Sequence, residues 1–182
     1  LSRLLYFTNG ITAIARGEDG EHFFRAAPSA GALYPTELYL AVRDHPDLPE
    51  GVYNYNVRTP SLVEIMPRGV GPSGEELFGK LSAACLNHKA LREAKLALIA
   101  TALYWRSAWR YGPRAFRRCM LDTGHVLGNF DALAPRYGLC TFAIGGCIDS
   151  EVAELLDIDP RKEGVVGVFP LLEAGAFEGA RG

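Results

Sequence analysis

Strong charge of one sign is absent from this sequence: 19 Lys and Arg stand against 21 Asp and Glu, for a formal net charge of −2. Neither nucleic acid nor an anionic membrane surface is therefore expected as a main partner. No apolar run is long enough to span a bilayer, the best being Leu96 to Leu103, and no secretory signal is visible. The four cysteines, Cys85, Cys119, Cys140 and Cys147, contain no C-x-x-C pair, and the four histidines are scattered. No zinc spacing emerges, and no metal site is expected. The expectation is reduced, buried thiols in a cytoplasmic protein. Internal repeats are lacking, as is a G-x-G-x-x-G turn after a strand, which argues against a dinucleotide-binding Rossmann domain.

What the chain does have is the apolar content of a folded domain. Hydrophobic residues make up 48% of 182 positions, enough for one core and one domain over 1–182. The sequence opens at Leu1, not methionine, so a segment upstream is expected, and the Gly- and Ala-rich tail 174–182 is expected to fray. The spacing of Leu4, Leu5, Phe7, Ile11 and Ile14 predicts a first helix from Ser2. Glu37 to Val42 reads as a strand with Leu38, Leu40 and Val42 on one face. Strands at 51–57 and 62–66, parted by Arg58-Thr59-Pro60, read as an antiparallel hairpin. Ser73 stands as a helix cap ahead of Glu75 and Glu76, and Lys95 to Leu103 reads as a central buried strand. Helical sequence resumes through Trp105 and Trp109, and Pro113 opens a long helix ending near Arg136. Strands at 140–144 and 165–171 enclose a short helix at 150–156. Strands gathered early, then helices mixed with central strands, give an α+β class with one sheet covered by helices.

On the long helix, Phe116, Cys119, Met120, Thr123, Leu127, Phe130 and Ala134 form a core face. Arg118, Asp122, His125 and Asn129 form a polar stripe beside it. That stripe is either a solvated face with a weak Arg118–Asp122 pair or a face toward a subunit or cofactor; the spacing leaves both open.

The most informative segment is Arg25-Ala26-Ala27-Pro28-Ser29-Ala30-Gly31-Ala32-Leu33-Tyr34-Pro35, directly before a strand. Two prolines fix its backbone, and the small residues between them let main-chain groups lie flat against an aromatic ring. A flavin needs such contacts: a donor at N5 and O4, an acceptor at N3, and positive charge or N–H groups near the reduced ring. By spacing alone an ordinary turn into a strand is the favoured reading. It resembles the P-S-x-G-A-x-x-P signature of the SagB-type dehydrogenases, a branch of the nitroreductase-like flavoproteins that includes thiazoline and oxazoline oxidases. Gly51-Val52-Tyr53-Asn54-Tyr55 is similar to that branch's G-x-Y-x-Y strand. Gly124-His125-x-x-x-Asn129, followed by Tyr137-Gly138-Leu139, resembles its long helix and G-L turn. Ile144-Gly145-Gly146, followed by Glu154-Leu155-Leu156-Asp157-Ile158, resembles its flavin-contacting turn and short helix. The four matches keep the family's order and cover nearly the whole chain.

The resemblance implies an FMN-dependent oxidoreductase that passes hydride through flavin N5. The fold it implies is nitroreductase-like: a mainly antiparallel central sheet flanked by helices, with a long dimer-forming helix. It further implies a homodimer, or a fused pseudo-dimer, acting on a small molecule or peptide. Pro28, Ser29, Ala30 and Gly31 of one subunit would pack on the ring, and Ile144, Gly145 and Gly146 of the other would direct a backbone N–H at N5. Arg25 is the implied partner of an anionic group. Where azoline oxidases carry a Lys-Tyr pair, this chain has Arg110-Tyr111. Dehydrogenating an azoline requires removal of a proton as hydride leaves. Arginine stays protonated, so Tyr111 is the candidate base, on condition that Arg110 or Arg114 stabilises its ionised form; the alternative is a surface Arg-Tyr pair near a helix start. The family's Arg- and Ser-rich phosphate grip has no counterpart after Leu1, nor do its basic residues after Phe169-Pro170. That departure keeps an alternative open: a non-catalytic, cofactor-poor domain serving dimerisation or as half of a pseudo-dimer. Nitroarenes, quinones and azoline peptides all remain open as substrates.

Overall fold

In the computed structural model, residues 1–18, 20–66 and 70–175 are described. Helix α1 (Ser2–Asn9) stops at Gly10, whose N–H closes on the Tyr6 carbonyl before the chain turns extended. Ile11 and Ile14, expected in this helix, instead belong to β1 (Ile11–Gly17), which pairs antiparallel with β2 (Gly20–Arg25). Gly10 breaks the helical run, and β-branched Ile11, Thr12 and Ile14 favour an extended backbone. The hairpin is exposed over most of its length.

A six-stranded sheet forms the centre. Strand β3 (Thr36–Val42) pairs on one side with β4 (Gly51–Asn56), which turns back into β5 (Ser61–Glu64). On the other side it pairs with β6 (Leu96–Leu103), then β8 (Glu163–Glu173) and finally β7 (Leu139–Thr141). The order is β5-β4-β3-β6-β8-β7, and every one of these pairings is antiparallel. The α+β class and the antiparallel sheet expected from the sequence are thus what is found.

Alternate strand residues point to opposite faces, and both faces are covered. One face sets Tyr39, Ala41, Ala97, Ile99 and Val168 against the side of the molecule formed by α2 (Gly74–Ala84), α3 (Lys89–Glu93) and α6 (Asp149–Leu155). The other sets Leu38, Leu98, Ala100 and Phe169 against Leu4 and Leu5 of α1 and Val126 and Phe130 of α5 (Ala115–Leu133). Strand β6 is buried on both sides because it carries no charged residue to expose. Helix α2 begins as its sequence suggests, Ser73 Oγ accepting the Glu76 N–H at 3.3 Å.

The long helix expected from Pro113 to near Arg136 is present as α5, extended by a 3-10 turn at each end. Helix α4 (Trp105–Tyr111) ends at Gly112, whose φ of 51° no helix accommodates. Pro113 sits in the 3-10 turn that comes next, α5 starts at Ala115, and Pro135 lies in a closing 3-10 turn. Cys119, Thr123, Phe130 and Ala134 are buried as expected, but Phe116 is 58% exposed, and Ala115, Asp122 and Val126 are buried instead. The buried stripe of α5 is the one that meets α1 and the segment before β3. The strand expected at 140–144 shrinks to three residues at the sheet edge, paired on one side only, plus a lone bridge from Ile144 to Val168. Of the tail expected to fray, 176–182 lie outside the described residues. Among the described residues no helix is long and apolar enough to cross a membrane.

Candidate functional site

The segment 25–35 is held in a conformation it would not adopt unaided. Gly31, Ala32 and Tyr34 all have positive φ (67°, 53° and 48°), a region costly for residues with a Cβ. Three sets of contacts fix it. The Asp122 carboxylate, buried on α5, accepts the Ser29 hydroxyl at 2.6 Å and the Ala30 N–H at 3.2 Å. Ser29 Oγ in turn accepts the Tyr34 N–H at 2.8 Å. Arg106 of α4 donates to the Tyr34 carbonyl at 3.0 Å and pairs with Glu37 of β3. The Ser29 side chain is therefore occupied within its own chain. Pro28, Gly31 and Ala32 are the members of the loop that stay exposed.

The Arg110-Tyr111 pair lies against this loop, although some eighty residues separate them. A Cβ at Gly31 would stand 2.7 Å from the Tyr111 hydroxyl oxygen and 3.4 Å from Arg110 Nε, and the φ of 67° favours glycine there. The cause is sheet register: Thr36 pairs with Ala102, so the segment entering β3 must meet the segment leaving β6. The cation nearest the Tyr111 ring is Arg118, its guanidinium carbon 4.1 Å from the centroid, with Arg110 at 5.9 Å. Arg118, and not the anticipated Arg114, thus takes the place beside the ring.

Arg25 turns inward. Its guanidinium donates to the Thr36 carbonyl at 3.3 Å and lies 4.9 Å from the Tyr34 ring centroid. Burial lowers its pKa, an effect Glu37 opposes and Arg106 reinforces. The polar stripe of α5 divides. Asp122 holds the loop, Asn129 donates to the Thr8 carbonyl at 3.3 Å, and exposed His125 contacts the Leu121 carbonyl of its own helix.

The turn at Ile144-Gly145-Gly146 leaves the sheet edge on the other side. Ile144 is buried and bridges Val168, while Gly145 and Gly146 are exposed, and a Cβ added to either would meet nothing within 4 Å. The peptide edge there is open. The next residue, Cys147, is disulfide-bonded to Cys85 at the end of α2, which corrects the expectation of four reduced cysteines. Sequence spacing could not show this, because the partners lie 62 residues apart and meet only when β7 has returned to α2. Cys119, buried, and Cys140, half-buried, are free; burial raises the pKa of the Cys119 thiol. Alkylation of the unfolded, non-reduced protein followed by mass spectrometry should therefore label Cys119 and Cys140 only. Labelling of all four without reductant would contradict the pairing.

One cluster escaped the sequence reading. Glu163, 8% exposed, accepts hydroxyls from Tyr39 at 2.9 Å and from Thr101. Burial, reinforced by Glu163, pushes the Tyr39 pKa well up, so this phenol stays a donor. Glu37 shares the inward parity of Tyr39 and Ala41 on β3. A charged residue at a core-facing strand position was the signal available.

In the single chain the loop and the turn lie on open surface. Beneath residues 27–36 there is a cavity of only about 10 Å3. Clefts of about 340, 420 and 490 Å3 lie elsewhere, and no predicted site residue lines them. Among the described residues no group of three or more His, Cys, Asp or Glu side chains could hold a metal ion.

Comparison with known proteins bears on this arrangement. Residues 9–171 match the model of the Nitroreductase family. The chain is 36% identical over 158 residues to a protein of Methanocaldococcus jannaschii named as a nitroreductase, covering 87% of this chain and 73% of that one. It is 32% identical over 154 residues to the trifolitoxin-processing protein TfxB of Rhizobium leguminosarum bv. trifolii, covering 82% of this chain and 40% of that one. Among solved structures, one from Anabaena variabilis described as a nitroreductase superposes with a TM-score of 0.87 at 44% identity, over 95% of this chain and 34% of that chain. A Desulfovibrio desulfuricans structure described as a nitroreductase complex with FMN shares the fold at 16% identity, with a TM-score of 0.56, over 93% of this chain and 70% of that one. The chain thus spans less than half the length of TfxB and about a third of the Anabaena protein.

Proposed function

Because the chain belongs to the nitroreductase family, and its likeness to TfxB supports the SagB-type branch that its four motifs resemble, we propose that it is an FMN-dependent oxidoreductase. Its ring site would lie between the 28–31 loop and the 144–146 turn. The observation that carries this reading is the loop itself, a strained backbone stretch held by Asp122 and Arg106 and packed against Arg110 and Tyr111. Strain of this kind persists only where surrounding contacts over-determine it, and it concentrates at binding sites.

The residues present suit the flavin ring of FMN. Pro28, Gly31 and Ala32 offer a flat exposed edge, and Gly145 and Gly146 leave room for a ring to approach the backbone. When bound, FMN supplies a two-electron hydride acceptor or donor. The protein's own part is to seat the ring, exclude water and move a proton. The Tyr111 oxygen is the acceptor this reading assigns to the substrate proton, with the guanidinium groups of Arg118 and Arg110 beside its ring. Within one sheet the loop before β3 and the turn after β7 are separated by β6 and β8. Three strand spacings of ~4.8 Å put them about 14 Å apart, which supports closure of the site by a second subunit or a fused second domain.

The favoured substrate is a peptide, since TfxB is a trifolitoxin-processing protein. Reduction of nitroarenes is the second reading, favoured by the name of the Methanocaldococcus relative. The natural protein, titrated with FMN and desalted, should retain flavin in a form that dithionite reduces. Loss of all flavin on desalting, with no spectral perturbation during the titration, would favour the cofactor-poor alternative and overturn the proposal.

A further inference from the structure

The 105–118 segment carries five arginines, Arg106, Arg110, Arg114, Arg117 and Arg118, and no carboxylate, in a chain whose total charge is −2. Arg106 is committed to Glu37 and the Tyr34 carbonyl. Arg110, Arg114 and Arg117 are exposed, and Arg118 Nε is buried without a hydrogen-bond partner. Interleaved with them are three exposed aromatics, Trp105 (62%), Trp109 (69%) and Phe116 (58%). Trp105 and Trp109 lie four residues apart, on one face of α4, and Arg106 and Arg110 form the neighbouring row.

We propose that this face binds an acidic peptide segment, and that it does so as the substrate-docking surface of the site described above; the inference rests on the peptide reading. Guanidinium groups pair with carboxylates in bidentate geometry, and exposed indoles stack on side chains or peptide planes. The surface runs directly into the reaction site, because Arg110 and Tyr111 pack on Gly31. A nucleic acid is disfavoured, since an extended polyanion needs a longer basic track than one short segment of a net acidic chain. A second copy packed face to face is disfavoured too, because isologous contact would set the three exposed arginines, Arg110, Arg114 and Arg117, against the same three.

The only two tryptophans in the chain are both on this face, so intrinsic fluorescence reads its occupancy directly. The natural full-length protein is titrated with a peptide bearing six consecutive glutamates, with its six-glutamine counterpart, and with inorganic phosphate. The expected result is a saturable change with the glutamate peptide that weakens as salt rises, and at least a ten-fold weaker response in R114Q/R117Q. Both replaced side chains are solvent-exposed, and circular dichroism checks that the variant is folded. Equal response to the two peptides, or an unchanged response in R114Q/R117Q, overturns the proposal. So does a response to phosphate alone at equal concentration, which would indicate a simple anion site. Shielding of both tryptophans from acrylamide in the resting protein would assign the face to a second copy and also overturn it. The flavin reading is scored separately: retained FMN with no peptide discrimination sinks only the docking surface, and the converse sinks only the flavin site.

Discussion

Replacing Tyr111 with phenylalanine should leave FMN binding within two- to three-fold of the parent and slow dehydrogenation of an azoline peptide by about 100-fold or more. The magnitude reflects the role assigned. A positioned general base contributes roughly 10²–10⁴ in rate, and phenylalanine removes the oxygen that would take the proton while keeping the ring. The ring still lies beside the Arg118 guanidinium, and Arg110 still faces Gly31, so the loop and helix α4 keep those contacts when the hydroxyl is lost. Loss confined to kcat, with FMN affinity retained, separates chemistry from packing. Anaerobic measurement of substrate-driven flavin reduction reads the step directly. A rate within three-fold of the parent would remove Tyr111 from the reaction and leave it as the packing partner of Gly31.

Asp122→Ala should destabilise the protein and weaken FMN binding together. The buried carboxylate accepts from Ser29 Oγ and Ala30 N–H. Hydrogen bonds to charged groups are worth about 1.5–3 kcal/mol each, and shared ones do not add fully, so about 2–4 kcal/mol of folding stability is the expected loss. The effect on the site is larger than that of an ordinary buried pair, because the released loop carries three close-set departures from ordinary backbone, at Gly31, Ala32 and Tyr34. Freed from Asp122, Ala32 and Tyr34 can relax toward negative φ and carry Pro28 and Gly31 out of place. FMN affinity should fall at least ten-fold. Asp122→Asn keeps one carbonyl acceptor and should recover most of the stability. Urea unfolding and FMN titration of the pair check this. A D122A protein with parental midpoint and parental FMN affinity would show that the loop holds its shape without the carboxylate.

How much of this the sequence disclosed depended on whether local pattern or long-range register decided it. Leu96 to Leu103 was legible as the central strand because an unbroken apolar run has nowhere to go but between two covered faces. Ser73 was legible as a cap because hydroxyl and first turn are neighbours in sequence. The 25–35 loop stood out by composition, and its family resemblance supplied Arg110-Tyr111 and Gly145-Gly146 as companions. That Tyr111 touches Gly31 was not legible, since only the pairing of Thr36 with Ala102 brings them together. The role of Asp122 was hidden for a related reason. Periodicity placed it on a polar stripe but could not say that α5 would turn that position under the loop. The first helix was drawn too long because Ile11 and Ile14 happen to continue its spacing, while Gly10 and the β-branched side chains decide the outcome. The Cys85–Cys147 bond and the Glu163 cluster depend wholly on distant segments meeting, and single-sequence pattern carries little trace of either.

The central claim is that one FMN ring lies between the 28–31 loop and the 144–146 turn, each supplied by a different copy of the domain. The most direct test is a crystal structure of the natural protein grown with FMN. The result expected is a ring bounded on one side by Pro28 to Gly31 and on the other by the backbone of Gly145 and Gly146 from the second copy, with Tyr111 within reach of its exposed face. A ring seated away from both segments, or both segments buried against protein with no room for it, would contradict the account.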